Sequence, residues 1–178
     1  MNRVKTHNNR RRHYYVLTAM VSAMLTIAAC SHIPLYSHYH HLPAEGWLRN
    51  DSIVFTTIPP SSVTSKNTVS DGDSASCISY GLTLGLRATN TFPYTQLMMA
   101  VHSHTTDYKT NRTDTITLNI TDEKGNNQGV GTHLFQYDIP LPDLSLHIQD
   151  TLIVSVRHIM SRKLLPGITD IGLTVTQH

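Results

Sequence analysis

The sequence is poor in several residue types, and each scarcity counts against a class of protein. It has two cysteines in 178 residues, too few for a small domain held together by a disulfide framework. One tryptophan and three phenylalanines supply few aromatic side chains for an exposed glycan-binding platform. No acidic residue precedes Cys30, and the uncharged, mostly apolar run of residues 16–29 is shorter than the roughly 20 residues of a membrane-spanning helix.

The first 29 residues have the composition of a secretory signal. Their cationic residues all lie in the first 15 positions, and a mostly apolar run follows that ends in the small residues Ala28 and Ala29. A basic region, a short apolar region and a small-residue end are typical of a cleaved signal peptide. The alternative is a short membrane anchor that is never cleaved.

Cys30 lies directly after this segment, and Ile27-Ala28-Ala29-Cys30 resembles a bacterial lipobox. The resemblance implies diacylglyceryl attachment to the Cys30 thiol and cleavage between Ala29 and Cys30. Stable anchoring needs more than one acyl chain, at about 0.8 kcal/mol per buried methylene, and an acylated cysteine supplies them. We therefore expect a signal peptide at residues 1–29, a lipidated tether at 30–46 and one domain at 47–178.

Removing the signal reverses the net charge. Five of the 14 Lys and Arg residues leave with it, so nine remain against 12 acidic residues, a net charge of −3 with histidine neutral. The sequence pI of about 8.6 thus belongs mostly to the discarded segment. A basic nucleic-acid-binding surface is not supported, and no nucleic-acid partner is expected.

The remaining residues predict an all-β domain. Residues 78–87 alternate apolar and small or polar side chains, and shorter alternating sets recur around Val101, Leu118, Val154 and Leu173. Alternation of period two indicates strands with one buried face, and proline- or glycine-containing turns separate them. We predict seven to eight strands in an antiparallel β-sandwich of jelly-roll or Greek-key type.

The sequence carries no recognisable catalytic motif, and neither a catalytic residue nor a cofactor is assigned. A glycine-rich phosphate loop and a GxSxG elbow are missing, and Cys77 has no evident activating partner. The tether histidines around His38 and the pair His102 and His104 could bind a metal, but surface histidines are the simpler interpretation. We assign no metal site.

Two arginines end strongly apolar strands. Arg87 follows Leu86, and Arg157 follows Val156. Each could pair with a carboxylate near the sheet edge, such as Asp170, or with the carboxylate of a partner protein in bidentate geometry. An edge ion pair of small energetic value is the alternative interpretation.

Four sites have an aspartate followed by a hydroxyl residue and then a small or apolar one. This pattern resembles an O-glycosylation acceptor of exported bacterial proteins. The same pattern also arises where an aspartate and the hydroxyl residue after it cap the start of a strand, which is the alternative interpretation. The candidate acceptors are Ser52, Ser74, Thr115 and Thr151.

Several blocks taken together resemble the gliding motility lipoprotein GldH family of the Bacteroidota. The order and spacing of the blocks carry this resemblance rather than any single motif. The family often has an aromatic residue where this chain has Asn127-Gln128, and an asparagine where this chain has Gln96. Besides the lipobox and Tyr36, the blocks are residues 47–55, 80–87, 92–97, 122–131 and 165–173.

The resemblance implies a non-enzymatic envelope lipoprotein linked to gliding motility and the type IX secretion machinery. Its expected partners are the membrane, through the lipid on Cys30, and other envelope lipoproteins of that machinery. Residues 31–34 lack an acidic run that would resemble a surface-export signal, so we expect the periplasmic face of the outer membrane. The alternative function is a carbohydrate-binding β-sandwich lipoprotein.

Overall fold

The computed structural model describes residue 15 and residues 34–59, 77–107, 109–147 and 150–177. The chain divides into two compact units, Met1–Ile33 and Pro34–His178, and the second contains the β domain. No helix within the described ranges is long and apolar enough to cross a membrane. The predicted signal peptide, Cys30 and Ser74 lie outside the described residues.

The domain consists of antiparallel strands, which confirms the predicted class. Eleven strands occur in the described residues, and β2, β7 and β10 have only two residues each. The eight longer strands match the upper end of the predicted number. The strands are β1 (Tyr36–His41), β2 (Trp47–Leu48), β3 (Ile53–Thr57), β4 (Cys77–Thr89), β5 (Gln96–Thr105), β6 (Asn111–Asn119), β7 (Val130–Gly131), β8 (Leu134–His147), β9 (Leu152–His158), β10 (Leu164–Leu165) and β11 (Ile168–Gln177).

Three sheets account for these strands. A five-stranded sheet has the order β1-β11-β4-β8-β7, a four-stranded sheet the order β3-β9-β5-β6, and β10 pairs with β2. Counting only the eight longer strands, the first sheet holds the first, eighth, third and sixth, and the second holds the second, seventh, fourth and fifth. This alternation between two sheets is the connectivity of a jelly roll.

The core lies between the two large sheets. In β4, Tyr80, Leu82, Leu84 and Leu86 are buried, as the alternation predicts. In β9, Leu152, Val154 and Val156 are fully buried from the opposite sheet. Trp47 is also fully buried, and it joins the same apolar cluster from β2.

The structure assigns residues 36–41 to the sheet rather than to a tether. β1 pairs with β11 over six positions, from Tyr36 opposite Val175 to His41 opposite Asp170. The polar composition of this segment concealed the strand, since only Tyr36 and Tyr39 of its side chains are half-buried. The described domain therefore begins before Trp47, and β1 is its edge strand.

Candidate functional site: polar surfaces of the sandwich

Tyr39 covers two glycines on the outer face of the five-stranded sheet. It lies opposite Gly172 in the β1–β11 register, and Gly172 lies opposite Gly85 in the β11–β4 register. A Cβ atom added at Gly172 would approach Tyr39 Cδ1 to 2.6 Å, and one at Gly85 would overlap the Tyr39 hydroxyl. The ring therefore occupies space that only two glycines in register leave open.

Arg87 and Gln136 complete a group that we call the Tyr39 cluster. The Arg87 Cζ atom is 4.2 Å from the centroid of the Tyr39 ring, a cation–π distance. Gln136 Nε2 donates to the Tyr39 hydroxyl at 2.8 Å, and Arg87 Nε donates to Gln136 Oε1 at 3.0 Å. Side chains from β1, β4 and β8 thus contact one another across the intervening β11.

Asp170 is a cross-strand neighbour of Arg87 in this sheet, which brings together two of the predicted site residues. The two side chains form hydrogen bonds with other residues and not with each other. Asp170 Oδ1 lies 3.1 Å from His41 Nδ1, while Arg87 turns to Gln136. His41 is largely exposed, so its ion pair contributes little to stability.

Arg157 lies away from this cluster, at a pocket of about 520 Å³ that we call the cationic pocket. Arg157 is exposed and sits at the penultimate position of β9. Among the described residues that line it, three are cationic and none is acidic. The lining residues are Leu48, Arg49, Asn50, Arg157 and Lys163.

Backbone contacts fix the positions of these cations. The Arg49 amide donates to the carbonyl of Lys163 at 2.7 Å, which extends the β2–β10 ladder. The Trp47 indole donates to the Asp51 carbonyl at 3.0 Å, which closes the turn that carries Arg49. The pocket is therefore built on backbone that these hydrogen bonds hold in place.

His158 links the neighbouring strand to the same turn. Its ring is buried, and Nε2 donates to the Trp47 carbonyl oxygen at 3.1 Å. Nδ1 has no hydrogen-bond partner in the described part of the chain, so protonation would bury an unpaired donor. Burial chiefly lowers the pKa of His158, the bond to Trp47 opposes this, and nearby Arg49 lowers it further.

The cations of the pocket are not neutralised by the ion pairs of the described residues. Those pairs are His41–Asp170, Lys109–Asp107 and Arg112–Asp114. None of them includes Arg49, Arg157 or Lys163. The pocket therefore presents positive charge on a protein whose residues after Cys30 carry a net charge of −3.

Arg157 also borders a second, smaller depression of about 290 Å³. His102 lines it, and the His102 and His104 rings stack at a centroid distance of 4.8 Å. His102 Nε2 is 2.8 Å from Asn111 Oδ1. No group of three potential metal ligands occurs in the described ranges, and these histidines belong to the outer face of β5.

A third pocket, of about 510 Å³, lies beside the turn that follows β6. Gln96 and Gln128 line it, and at both positions the chain differs from the residues that the GldH pattern often has. Gln96 Nε2 donates to Asn119 Oδ1 at 2.9 Å. None of the described residues that line it is aromatic. They are Thr95, Gln96, Asn119, Thr121, Asp122, Glu123 and Gln128.

The candidate acceptor hydroxyls differ in exposure. Ser52 and Thr115 are exposed, whereas Thr151 is half-buried beside β9. Ser52 also lines the smaller depression next to Arg157. Modification at these residues stays a prediction.

A comparison with protein-family models identifies the chain. Residues 34–175 match the model described as GldH lipoprotein. The chain belongs to the GldH lipoprotein family. The match begins two residues before β1 and ends within β11, so the region that defines this family coincides with the described jelly roll. No curated protein matches the chain.

Solved structures offer only a distant likeness. One is titled crystal structure of infectious bursal disease virus VP2 subviral particle, with 12% identity, a TM-score of 0.18, and coverage of 80% of this chain and 38% of that one. Another is the structure of the infectious bursal disease virus Gx strain, with 12% identity, a TM-score of 0.19, and coverage of 82% and 40%. The chain spans about two fifths of the length of these proteins, and scores this low support no argument.

The sequence singles out Arg87, Arg157 and Asp170 but not the residues around them. Tyr39 and Gln136 became part of a site only through strand register. Arg49 and Lys163 are far apart in sequence and meet because β2 pairs with β10. A local signal existed for one of them, since Arg49 follows Trp47-Leu48 in a turn.

Proposed function

We propose that this member of the GldH lipoprotein family is a non-enzymatic, lipid-anchored structural or assembly component of the cell envelope. The observation that carries the proposal is the family match over residues 34–175. The lipobox-like segment ending in Cys30 supports acylation of that thiol. The domain then acts as a folded module that binds other envelope proteins of the gliding motility and type IX secretion machinery.

The outer membrane is the proposed location, on its periplasmic face. The absence of an acidic run in residues 31–34, directly after Cys30, supports this face. Protease treatment of intact cells tests the assignment. A periplasmic domain resists digestion until the outer membrane is permeabilised, whereas rapid loss of the domain from intact cells contradicts the proposal.

A structural role fits the surfaces of the described domain better than catalysis does. The perturbed carboxylates, Asp107 and Asp122, lie in turns and bond to the backbone of those turns. Such bonds order a turn, and hydrogen bonds to a carboxylate lower its pKa by themselves, so the shifts need no catalytic role. The Tyr39 cluster, in contrast, presents a cation and an aromatic ring on the outer face of the five-stranded sheet, and such groups suit recognition of a protein partner.

Site-specific photocrosslinking tests the partner-binding role. A photoreactive residue at Thr83, next to the Tyr39 cluster on β4, should capture defined envelope lipoproteins or an outer-membrane channel in intact cells. The same residue at Thr117, on the edge strand β6, serves as the matched position on the other sheet. Equal capture at both positions, or capture of neither class of protein, would count against the proposal.

Acylation is tested separately by intact mass. The exported protein should start at Cys30 and carry the added mass of its acyl chains, and Cys30→Ser should abolish both the acylation and the cleavage at Ala29. A native protein that keeps residues 1–29 and gains no acyl mass would support the alternative, a permanent short anchor.

Carbohydrate binding remains the second candidate because the pocket beside Gln96 and Asp122 offers amide and carboxylate groups. The large aromatic residues Trp47, Phe55 and Tyr80 are fully buried in the core, so they cannot serve as stacking platforms for sugars. Binding to a glycan array that is lost in Gln96→Ala would favour this second function.

A further inference from the structure

The cationic pocket is bordered by an exposed pair of leucines. Leu48 lines the pocket and lies opposite Leu164 in the β2–β10 register. The preceding pair of that ladder, Trp47 opposite Leu165, is fully buried. Because successive side chains of a strand point to opposite faces, Leu48 and Leu164 must both face outward. Their exposed fractions are 48% and 39%.

Positive charge is concentrated at the same place. Arg49, Arg157 and Lys163 line the pocket, and Arg162 is exposed directly before Lys163. These four are nearly half of the nine cationic residues that follow Cys30. The domain therefore combines an overall negative charge with one cationic, partly apolar corner.

We propose that this corner docks onto the phosphate-bearing headgroups of the membrane in which the protein is anchored. Cations attract anionic lipid headgroups, and exposed leucines beside them can enter the boundary between headgroups and acyl chains. Basic and apolar side chains on one face are the composition of a membrane-contact surface. The inference rests on the proposed function, because it requires the acylated Cys30.

The length of the chain before β1 brings such contact within reach. Five residues separate Cys30 from Tyr36, the first residue of β1. Fully extended, the six residue-to-residue steps span at most about 22 Å. An acylated Cys30 therefore holds the domain near the leaflet, where the attraction of a few charges is effective.

Quenching of a label by spin-labelled lipids tests the proposal. The acylated full-length protein is reconstituted into vesicles of phosphatidylcholine alone or with phosphatidylglycerol, with a fluorescent label at Leu48→Cys in a Cys77→Ser background. We expect at least five-fold stronger quenching in the anionic vesicles. A label at Val130→Cys, exposed on β7, should show no such difference.

Charge variants identify the groups responsible. Arg157→Gln and Lys163→Gln should each lower the contact equilibrium about five-fold, which corresponds to about 1 kcal/mol per cation near an anionic surface. Arg112→Gln is the matched control, because Arg112 is already paired with Asp114 at 2.8 Å. Equal quenching in both kinds of vesicle, or an equal loss in Arg112→Gln, would overturn the proposal.

Phosphate competition and intact mass distinguish headgroup docking from free-phosphate binding and from a failure of acylation. Inorganic phosphate should weaken the contact no more than sodium chloride of the same ionic strength, and a stronger effect would mean that the pocket takes free phosphate instead of a headgroup. Intact mass is measured before reconstitution. A protein without acyl chains refutes the proposed function, whereas an acylated protein without lipid-dependent quenching refutes only the docking of the pocket.

Discussion

Tyr39 of the first strand and Gly172 of the last strand form a cross-strand pair in which the aromatic ring covers the glycine. Glycine normally weakens a strand because it has no side chain to pack. Here the neighbouring tyrosine supplies that packing, and the ring extends over Gly85 of the next strand. Gly172 and Gly85, which would otherwise weaken their strands, thus form the surface against which the edge strand β1 packs.

Replacing Gly172 by alanine should destabilise the domain by about 1–3 kcal/mol, the cost of overpacking a filled site. The added methyl group would displace the Tyr39 ring from Arg87 and Gln136. In a Tyr39→Ala background the same substitution should be neutral or stabilising, because alanine is preferred to glycine in a strand. Denaturant unfolding of the four proteins measures this coupling, and additivity within about 0.5 kcal/mol would contradict it.

The stability of the domain should fall as the pH decreases below about 6.5, the ordinary pKa of histidine. The pKa of buried His158 is lowered in the folded state, so between the folded and unfolded values only the unfolded chain binds the proton. Stability contributed by neutral His158 is complete above a pH of about 6.5 and is lost as the pH falls toward the folded pKa.

Unfolding free energies at a pH of about 7.5 and of about 5.5, on either side of the ordinary histidine pKa, measure this effect. In His158→Gln the amide can still donate to the Trp47 carbonyl but has no proton to gain, so the loss between the two pH values should shrink. An unchanged pH dependence in this variant would assign the effect to other histidines.

Asp107 should titrate well below an ordinary aspartate. The Thr105 hydroxyl donates to Asp107 Oδ1 at 2.6 Å, and this bond, followed by that from the Lys109 amide, lowers the pKa of Asp107 to about 2. Thr105→Val should raise that pKa toward 3.8, whereas Thr105→Ser, which keeps the hydroxyl, should not. Carboxyl chemical shifts followed by NMR through the acidic range decide between the two results.

Glycosylation should follow exposure and the preceding aspartate. Thr115 is exposed and follows Asp114, whereas Thr113 is also exposed on the same strand but follows Arg112. We expect Thr115→Val to remove one glycan mass from the exported protein and Thr113→Val to remove none. Ser52 should be modified more completely than half-buried Thr151, and an unmodified mass for the native chain would refute the whole set.

The long strands were predictable because their burial is one-sided. β4 and β9 alternate buried and outward positions as their sequences do. β1 was not predictable in the same way, since its three histidines have no place in an apolar pattern. β1 forms a strand because its backbone pairs with the edge of β11 and because Tyr39 packs over Gly172 of that strand.

The candidate surfaces were only partly predictable for a similar reason. Arg87 and Arg157 stood out at the ends of apolar strands, and both line polar surfaces. What surrounds them comes from distant segments, such as Gln136 on β8 and Lys163 before β10. Their positions depend on pairing register, which a single sequence does not specify until the partner strands are known.

The pairing of β1 with β11 also governs when the domain can form. Tyr36 and Val175 lie opposite each other, so contacts between the two ends of the domain complete the sheet, and such non-local contacts slow folding. The first strand of the domain has no neighbour in the sheet until the final strand, β11, is in place. A chain truncated before Ile168 would therefore leave β1 unpaired and expose the edge of β4 that β11 covers.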